Sequence, residues 1–400
     1  MKRMLTCLAA VAVAVAGSAA ALAAPVATGP HWVIQSSPNR AVPDNQFLGM
    51  SCTSSTACTA VGSSGPLEVW LGYGSGRPFA PMAQRSAAKA TKTTTLAERW
   101  DGAHWRIERT PNPAGSANSS LNAVACSSRH ACTAVGSAVA GAVFIPLAER
   151  WNGSRWSIEW TPRPPGSTNS ELLGVSCPAS RECFAVGDYE TASNVFAGFA
   201  ERWNGSRWTL AGVIRAGTSA FLDSVSCSSA KLCTAVGGYE VTNISLPLAE
   251  RWSGRWHKQH MPGTGSLYGV SCATSSQCTA VGSRPNGQPG ESALLAMQWK
   301  GGRWKAHSAP EPAGSTQGFL RGVSCAATTS CAAAGWAQLT KAVTVADHWN
   351  GTRWTLERTS KPAGSQGSSF TGVWCGAHSS CRASGGYDLP SSVKTLVERR

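Results

Sequence analysis

Fourteen of the fifteen cysteines stand in seven pairs with five residues between partners: Cys52/Cys58, Cys126/Cys132, Cys177/Cys183, Cys227/Cys233, Cys272/Cys278, Cys325/Cys331 and Cys375/Cys381. A thiol can ligate a metal, attack a substrate or bridge to a second thiol. Zinc sites favour two to four residues between paired ligands and need a second pair or histidines nearby. Here the spacing is five, and the eight histidines follow no period, so no metal site is assigned. A nucleophile repeated seven times in equivalent places is scaffold rather than catalyst. The remaining chemistry is disulfide formation within each pair. Two cysteines flanking a five-residue loop face each other across an antiparallel hairpin, where Cα atoms lie about 4.5 to 5.5 Å apart, within bridging reach. So short a loop makes each bridge worth about 2 kcal/mol.

Other chemistries lack their residue sets. Glycoside cleavage needs a carboxylate pair about 5 Å or about 6.5 to 9.5 Å apart, and acyl transfer needs a Ser/His/acid constellation. Asp188, Glu190, Glu240 and Asp388 are candidate carboxylates beside Asp223 but commit to no pair, and Ser51, Ser176, Ser226, Ser271 and Ser324 are repeat positions. No catalytic residue and no cofactor is assigned.

The elements that carry the cysteines are short and strand-like. Each copy holds Leu-x-Gly-Val-Ser-Cys, as in Leu172 to Cys177, and then Cys-x-Ala-Val-Gly, as in Cys183 to Gly187. A third piece, Leu-Ala-Glu-Arg-Trp (Leu147 to Trp151), and a fourth, Arg155 to Glu159, are joined by Asn152-Gly153-Ser154. Asn-Gly between alternating apolar residues is a strong hairpin signal. The turn recurs at Asp101-Gly102, Asn204-Gly205, Ser253-Gly254, Gly301-Gly302 and Asn350-Gly351. First cysteines recur every 45 to 74 residues, and a period near 40 to 50 residues built of short strands predicts propeller blades. The chain is thus expected to be all-β: a seven-bladed β-propeller of four antiparallel strands per blade, spanning residues 24–400 with a loop insertion at about 63–94 in blade one.

The seventh copy stops after its third strand at Arg400, while His31-Trp32-Val33-Ile34-Gln35 matches the fourth strand Arg155-Trp156-Ser157-Ile158-Glu159. The N-terminal strand is therefore expected to complete the last blade. This closure resembles that of WD40-type propellers, although the Gly-His and Trp-Asp signatures are absent and no WD40 function is implied. The Cys-x5-Cys repeats look more like those of uncharacterised secreted bacterial propellers, a resemblance that implies no activity. Twelve of the seventeen tryptophans recur as pairs (100/105, 151/156, 203/208, 252/256, 299/304 and 349/354). Their repetition marks them as packing residues, and the recurring Glu-Arg step (Glu98-Arg99, Glu149-Arg150, Glu201-Arg202, Glu250-Arg251 and Glu398-Arg399) is expected to bond neighbouring strands or blades.

Lys2 and Arg3, an apolar run from Leu5 to Ala16, and Ala21-Leu22-Ala23 have the order of a secretory signal ending at residue 23. No stretch reaches the roughly 18 apolar residues of a membrane span. The expectation is an extracellular, bacterially secreted monomer. The formal charge of +14 is spread around the ring by repeated arginines. That argues against a nucleic-acid partner and favours encounter with anionic polymers. Sequons at Asn152, Asn204 and Asn350 coincide with hairpin turns.

Functional candidates are the positions that differ between copies. Four residues before each first cysteine stand Leu48, Asn122, Leu173, Asp223, Tyr268, Arg321 and Thr371. They are expected at the start of the innermost strand, forming a ring at the channel mouth. Loops between second and third strands are expected to carry Tyr189, Glu190, Tyr239, Glu240, Trp336, Tyr387 and Asp388, with Trp70, Tyr73, Arg77, Arg85, Lys89 and Lys92 in the enlarged blade-one loop. Variable loops on one face of a rigid scaffold are where binding concentrates. The expected function is a noncatalytic binding module for an anionic or neutral polysaccharide or wall polymer. The alternatives are an extracellular protein-interaction scaffold and a polysaccharide-cleaving enzyme.

Overall fold

The computed structural model describes residues 31–66, 92–376 and 380–400; the signal-like segment and most of the enlarged blade-one loop lie outside them. Seven four-stranded antiparallel sheets form the blades of a β-propeller. In blade three the strands are Ser167–Ala179, Glu182–Thr191, Phe196–Trp203 and Trp208–Ile214, from the channel outward.

Every blade closes its first hairpin with the expected disulfide, with Cα atoms 3.9 to 4.1 Å apart. That is closer than the facing residues of an unbridged ladder. The bridges also differ from staples at a surface loop, which is all that their spacing suggests. The second cysteine of each pair, Cys58, Cys132, Cys183, Cys233, Cys278, Cys331 and Cys381, is buried, at 1 to 3% exposure. The cause is the neighbouring blade, whose second strand covers the sulfur with the residue after its own second cysteine. Thr59 Oγ1 lies 3.7 Å from Cys132 Sγ, and Thr133, Thr234 and Thr279 stand in the same way at Cys183, Cys278 and Cys331, at 3.6, 3.5 and 3.7 Å. Phe184 takes the threonine's place against Cys233, and Ala332 against Cys381. Arg382 completes the circle, its Nη1 4.0 Å from Cys58 Sγ.

The outer hairpin turns follow from their side chains. Asn152 Oδ1 accepts from the amides of Ser154 and Arg155, both at 3.0 Å, and Asn204 and Asn350 do the same. Gly153 takes the positive φ of 98° that the turn needs, and a Cβ there would meet His130 in the cysteine loop. The two turn types therefore share one face of the disk.

Tryptophans pair across each outer hairpin, Trp151 facing Trp156 in register with ring centroids 5.9 Å apart. In blades one, two and four the arginine before the first Trp leans onto the next blade. Arg99 lies 4.4 Å over the Trp151 ring and donates to the Arg129 carbonyl at 2.6 Å; Arg150 does likewise to Trp203 and Ser180. The repeated serine of Val-Ser-Cys also spans blades: Ser176 Oγ accepts the Cys227 amide at 3.0 Å, and Ser51, Ser226, Ser271 and Ser324 have the same role.

The glutamates are buried acids, and Glu398 bonds a neighbouring segment as expected, accepting the Ser360 amide at 3.0 Å. Glu98, Glu149, Glu201 and Glu398 are fully buried, on the opposite strand face from the arginines. Burial pushes their carboxyls up to about 8, 8, 9 and 8, so they are held as neutral acids. Met297 stands at the equivalent place in blade five and is equally buried in the apolar core. A slot that accepts either Met or a protonated Glu is an apolar slot.

The ring closes as expected. Val33 and Ile34 pair antiparallel with Arg399 and Glu398. Trp32, fully buried, donates from Nε1 to Glu357 at 2.8 Å, and Glu357 also accepts Arg400 at 2.8 Å. Ser360 donates to the Trp32 carbonyl at 2.7 Å. The closing strand is two residues long, so these contacts add to a short ladder.

Candidate functional site

All seven variable residues reach the central channel. A cavity of about 220 Å³ is lined by the triplets that begin at Leu48, Asn122, Leu173, Asp223, Tyr268, Arg321 and Thr371. The residues are not at strand starts, as the sequence suggests, but inside the inner strands. Each sits on a register shift: Leu222 pairs with Gly237 and Ser224 with Val236, so that Asp223 is the extra residue of the first strand, and the other six blades repeat this. A β-bulge inserts one extra residue and re-aims its side chain. Here it turns the side chain toward the axis at one level in every blade.

The repeated glycines follow from the bulge. A Cβ at Gly187 would overlap the Glu171 carbonyl oxygen, which the bulge presses against the second strand. One residue past the ring, a Cβ at Gly174 would lie 2.8 Å from Ser224 Cα of the next blade. Inner strands thus approach backbone to backbone around the channel.

The ring is polarised. Leu48 and Leu173 are apolar. Asn122 Nδ2 donates to the Leu172 carbonyl at 2.9 Å and Thr371 Oγ1 to the Phe47 carbonyl at 2.8 Å, so both bind the neighbouring blade. Asp223, Tyr268 and Arg321 follow one another on blades four, five and six. The Arg321 guanidinium lies 4.9 Å over the Tyr268 ring, and the Tyr268 hydroxyl is 3.1 Å from Ser283 Oγ. Behind Tyr268, Phe319 stacks on Trp336 at 4.7 Å, giving this side of the mouth an aromatic backing.

The residues expected in variable loops lie instead in the second strands, which run further than the repeat motif suggests. Tyr189 and Glu190 belong to Glu182–Thr191, Tyr239 and Glu240 to Leu232–Val241, Trp336 to Ser330–Gln338, and Tyr387 and Asp388 to Cys381–Leu389. Tyr189 and Trp336 are fully buried. Tyr189 packs edge-on against Phe199 and accepts Arg215 at 3.0 Å, while Glu190 accepts Asn169 at 2.8 Å. Long strands bury these side chains between blades, which a motif ending at Val-Gly does not reveal. At the other end of the same strands, the buried cysteines Cys58, Cys132, Cys183, Cys233, Cys278, Cys331 and Cys381 present no sulfur to a ligand and belong to the blade-to-blade packing. Of the enlarged blade-one loop, Trp70, Tyr73, Arg77, Arg85 and Lys89 lie outside the described residues; Lys92 is exposed just before the strand Thr94–Trp100.

Among the described residues, no group of three or more His, Cys, Asp or Glu could hold a metal ion, and no helix is long and apolar enough to cross a membrane.

No protein-family profile and no curated protein matches the chain. Solved structures do match. A protein described as YCF48 bound to D1 peptide aligns with 12% identity and a TM-score of 0.51, over 92% of this chain and 96% of that one. The Aleuria aurantia lectin in complex with α-methyl-L-fucoside aligns with 10% identity and a TM-score of 0.44, over 68% and 90%. Hadza microbial sialidase Hz136 aligns with 8% identity and a TM-score of 0.48, over 78% and 65%. At these identities the likeness speaks for the fold alone. The chain is a seven-bladed β-propeller with a Cys-x5-Cys disulfide in every blade.

Proposed function

We propose that this is a secreted, noncatalytic carbohydrate-binding propeller whose ligand docks at the channel mouth. The observation that carries the reading is the Asp223, Tyr268, Arg321 arc on consecutive blades, with Leu173 beside Asp223 and Leu48 further round the ring, around a cavity of about 220 Å³. A pyranose has apolar C–H faces and a rim of hydroxyls. The tyrosine ring and leucines suit the first, and a carboxylate beside a guanidinium suits the second. The cavity is smaller than the roughly 300 Å³ at which drug-sized sites begin, so it fits a single sugar unit or chain end. Seven disulfides fit an oxidising compartment, and the signal-like segment 1–23 accounts for export.

Glycan-array binding of the chain lacking residues 1–23 tests the proposal. Selective binding that is lost in Asp223→Ala and Arg321→Ala, and retained in Arg207→Ala on the opposite face, supports it. Reducing-end release would make the protein an enzyme. Absence of glycan binding, with capture of a specific extracellular protein, would make it an interaction scaffold.

A further inference from the structure

In six of the seven blades the arginine position or the third residue after the second Trp has a charged, hydrogen-bonded or aromatic side-chain partner beyond the stacking of arginine on Trp. In blades one and two the third residue after the second Trp is acidic: Glu108 acts electrostatically on Arg99, and Glu159 on Arg150. Within blade three, Arg202 pairs with Glu182 of the second strand at 3.0 Å. Blade five has Gln298 in the arginine's place, and His307 packs on Trp349 with centroids 5.0 Å apart. Glu357 of blade six holds Arg400. Where blade seven meets blade one, buried Arg382 donates to Gln35 at 3.3 Å.

Blade four, where it meets blade five, is the exception. Its arginine, Arg251, stacks over Trp299 at 5.0 Å and donates through Nη2 to the Ser275 carbonyl at 2.9 Å. The acidic position is Gln259, whose amide donates to the His257 carbonyl on its own strand at 2.9 Å. Nη1 of Arg251 is buried without a hydrogen-bond partner. The turn after Trp252 is also one residue shorter than in blades two and three, with Trp252 and Trp256 four apart instead of five. The result is an open groove lined by Arg251, Trp252, His257, Gln259 and Trp299, with no carboxylate on its walls. Both first-position indoles in it, Trp252 and Trp299, are partly exposed, as is Trp100, whereas Trp151, Trp203 and Trp349 are buried.

We propose that this groove is a second binding site, distinct from the channel, for an acidic sugar, a pyranose bearing a carboxylate. Arg251 supplies the charge that its sister arginines spend on Glu108 and Glu159, and a sugar carboxylate takes the place of that missing acid. The indoles of Trp252 and Trp299 take the apolar face of the ring, and His257 and Gln259 stand at the rim for its hydroxyls. Guanidinium pairing with a carboxylate gives the charge-assisted bond that selects acidic over neutral sugars.

The test is a titration of intrinsic tryptophan fluorescence in the full chain with methyl glucuronide, methyl glucoside and acetate. The glucuronide should give a saturable change, with glucoside and acetate at least about tenfold weaker. Two substitutions should each weaken glucuronide binding by about tenfold or more. Arg251→Gln installs the residue that blade five already has as Gln298. Gln259→Glu restores the carboxylate of blades one and two and removes no packing atom, so it serves even if Arg251→Gln lowers stability. Asp223→Ala and Arg321→Ala should leave glucuronide binding unchanged, which separates this site from the channel. Absence of saturation, equal binding of glucoside, or unaltered affinity in Gln259→Glu would overturn the proposal, as would loss confined to the channel variants.

Discussion

The inner ring of bulged residues and the outer ring of Trp, Arg and buried Glu are built on the same sevenfold frame, yet one takes six residue types in seven copies and the other largely repeats. The outer ring repeats because each of its side chains touches the next blade: Arg99 covers Trp151 and Arg150 covers Trp203. A change in one copy leaves a neighbour unpacked. The inner ring varies because a bulge takes its residue out of the ladder and turns it toward space. The scaffold fixes where that side chain stands but not which type it is, so each copy finds its own partners, Asn122 at the Leu172 carbonyl and Tyr268 at Ser283. Where the outer ring does vary, as at Met297 and Gln259, the local chemistry changes with it.

The largest effect is expected where the outer ring is closed once. Trp32→Ala should lower stability by about 3 to 5 kcal/mol, because it removes a fully buried indole and strands Glu357 beside Arg400. Urea denaturation compared with Trp160→Ala, an indole 74% exposed, reads this. Equal losses would mean that the N-terminal strand does not seal the ring.

Next is pH. The folded-state carboxyls of Glu98, Glu149, Glu201 and Glu398 are raised to about 8 or 9 from an ordinary 4.5. Between those values the unfolded chain has lost the protons that the fold keeps. Their stabilising contribution is complete below about pH 4.5 and is lost as pH rises toward 8 or 9, by up to about 1.4 kcal/mol per unit for each acid. Melting temperature should therefore rise on acidification from pH 8 to pH 5. Glu201→Met, which copies Met297, should flatten the profile and raise stability at pH 8 by about 1 to 4 kcal/mol. A slope unchanged in this variant would show that Glu201 is ionised in the fold.

Within the inner ring, Asn122→Leu and Thr371→Val should cost about 1 kcal/mol each through loss of their bonds to Leu172 and Phe47. The smallest effect on stability belongs to Asp223→Asn and Arg321→Gln, which keep a hydrogen-bonding side chain at a buried and a part-buried site and should cost less than about 1 kcal/mol in thermal melts, with glycan binding reduced. Melts lowered as much as by Trp32→Ala would place these two in the scaffold rather than the site.

Cysteine spacing, Asn-Gly turns and the displaced fourth strand are local or periodic signals, and they determined the disulfides, the outer hairpins and the closure without coordinates. The same alignment of copies singled out Asp223, Tyr268 and Arg321, because a position that varies inside a repeat is visible in sequence. Tertiary structure decided how they are used. The bulge shows in sequence only as core residues three apart, Leu172 and Val175 or Leu222 and Val225, but that it aims the extra residue into the channel, and needs Gly187 beside the Glu171 carbonyl, could be seen only in strand pairing. The same holds for Tyr189 and Trp336, whose burial depends on how far the second strands run against the neighbouring blade. Spacing paired Cys126 with Cys132, but only the adjoining blade, through Thr59, decided that Cys132 is sealed from solvent. It holds also for the groove at Arg251: whether an arginine meets a carboxylate is settled by what the adjoining strands place beside it, not by the Glu-Arg-Trp motif it shares with its sisters.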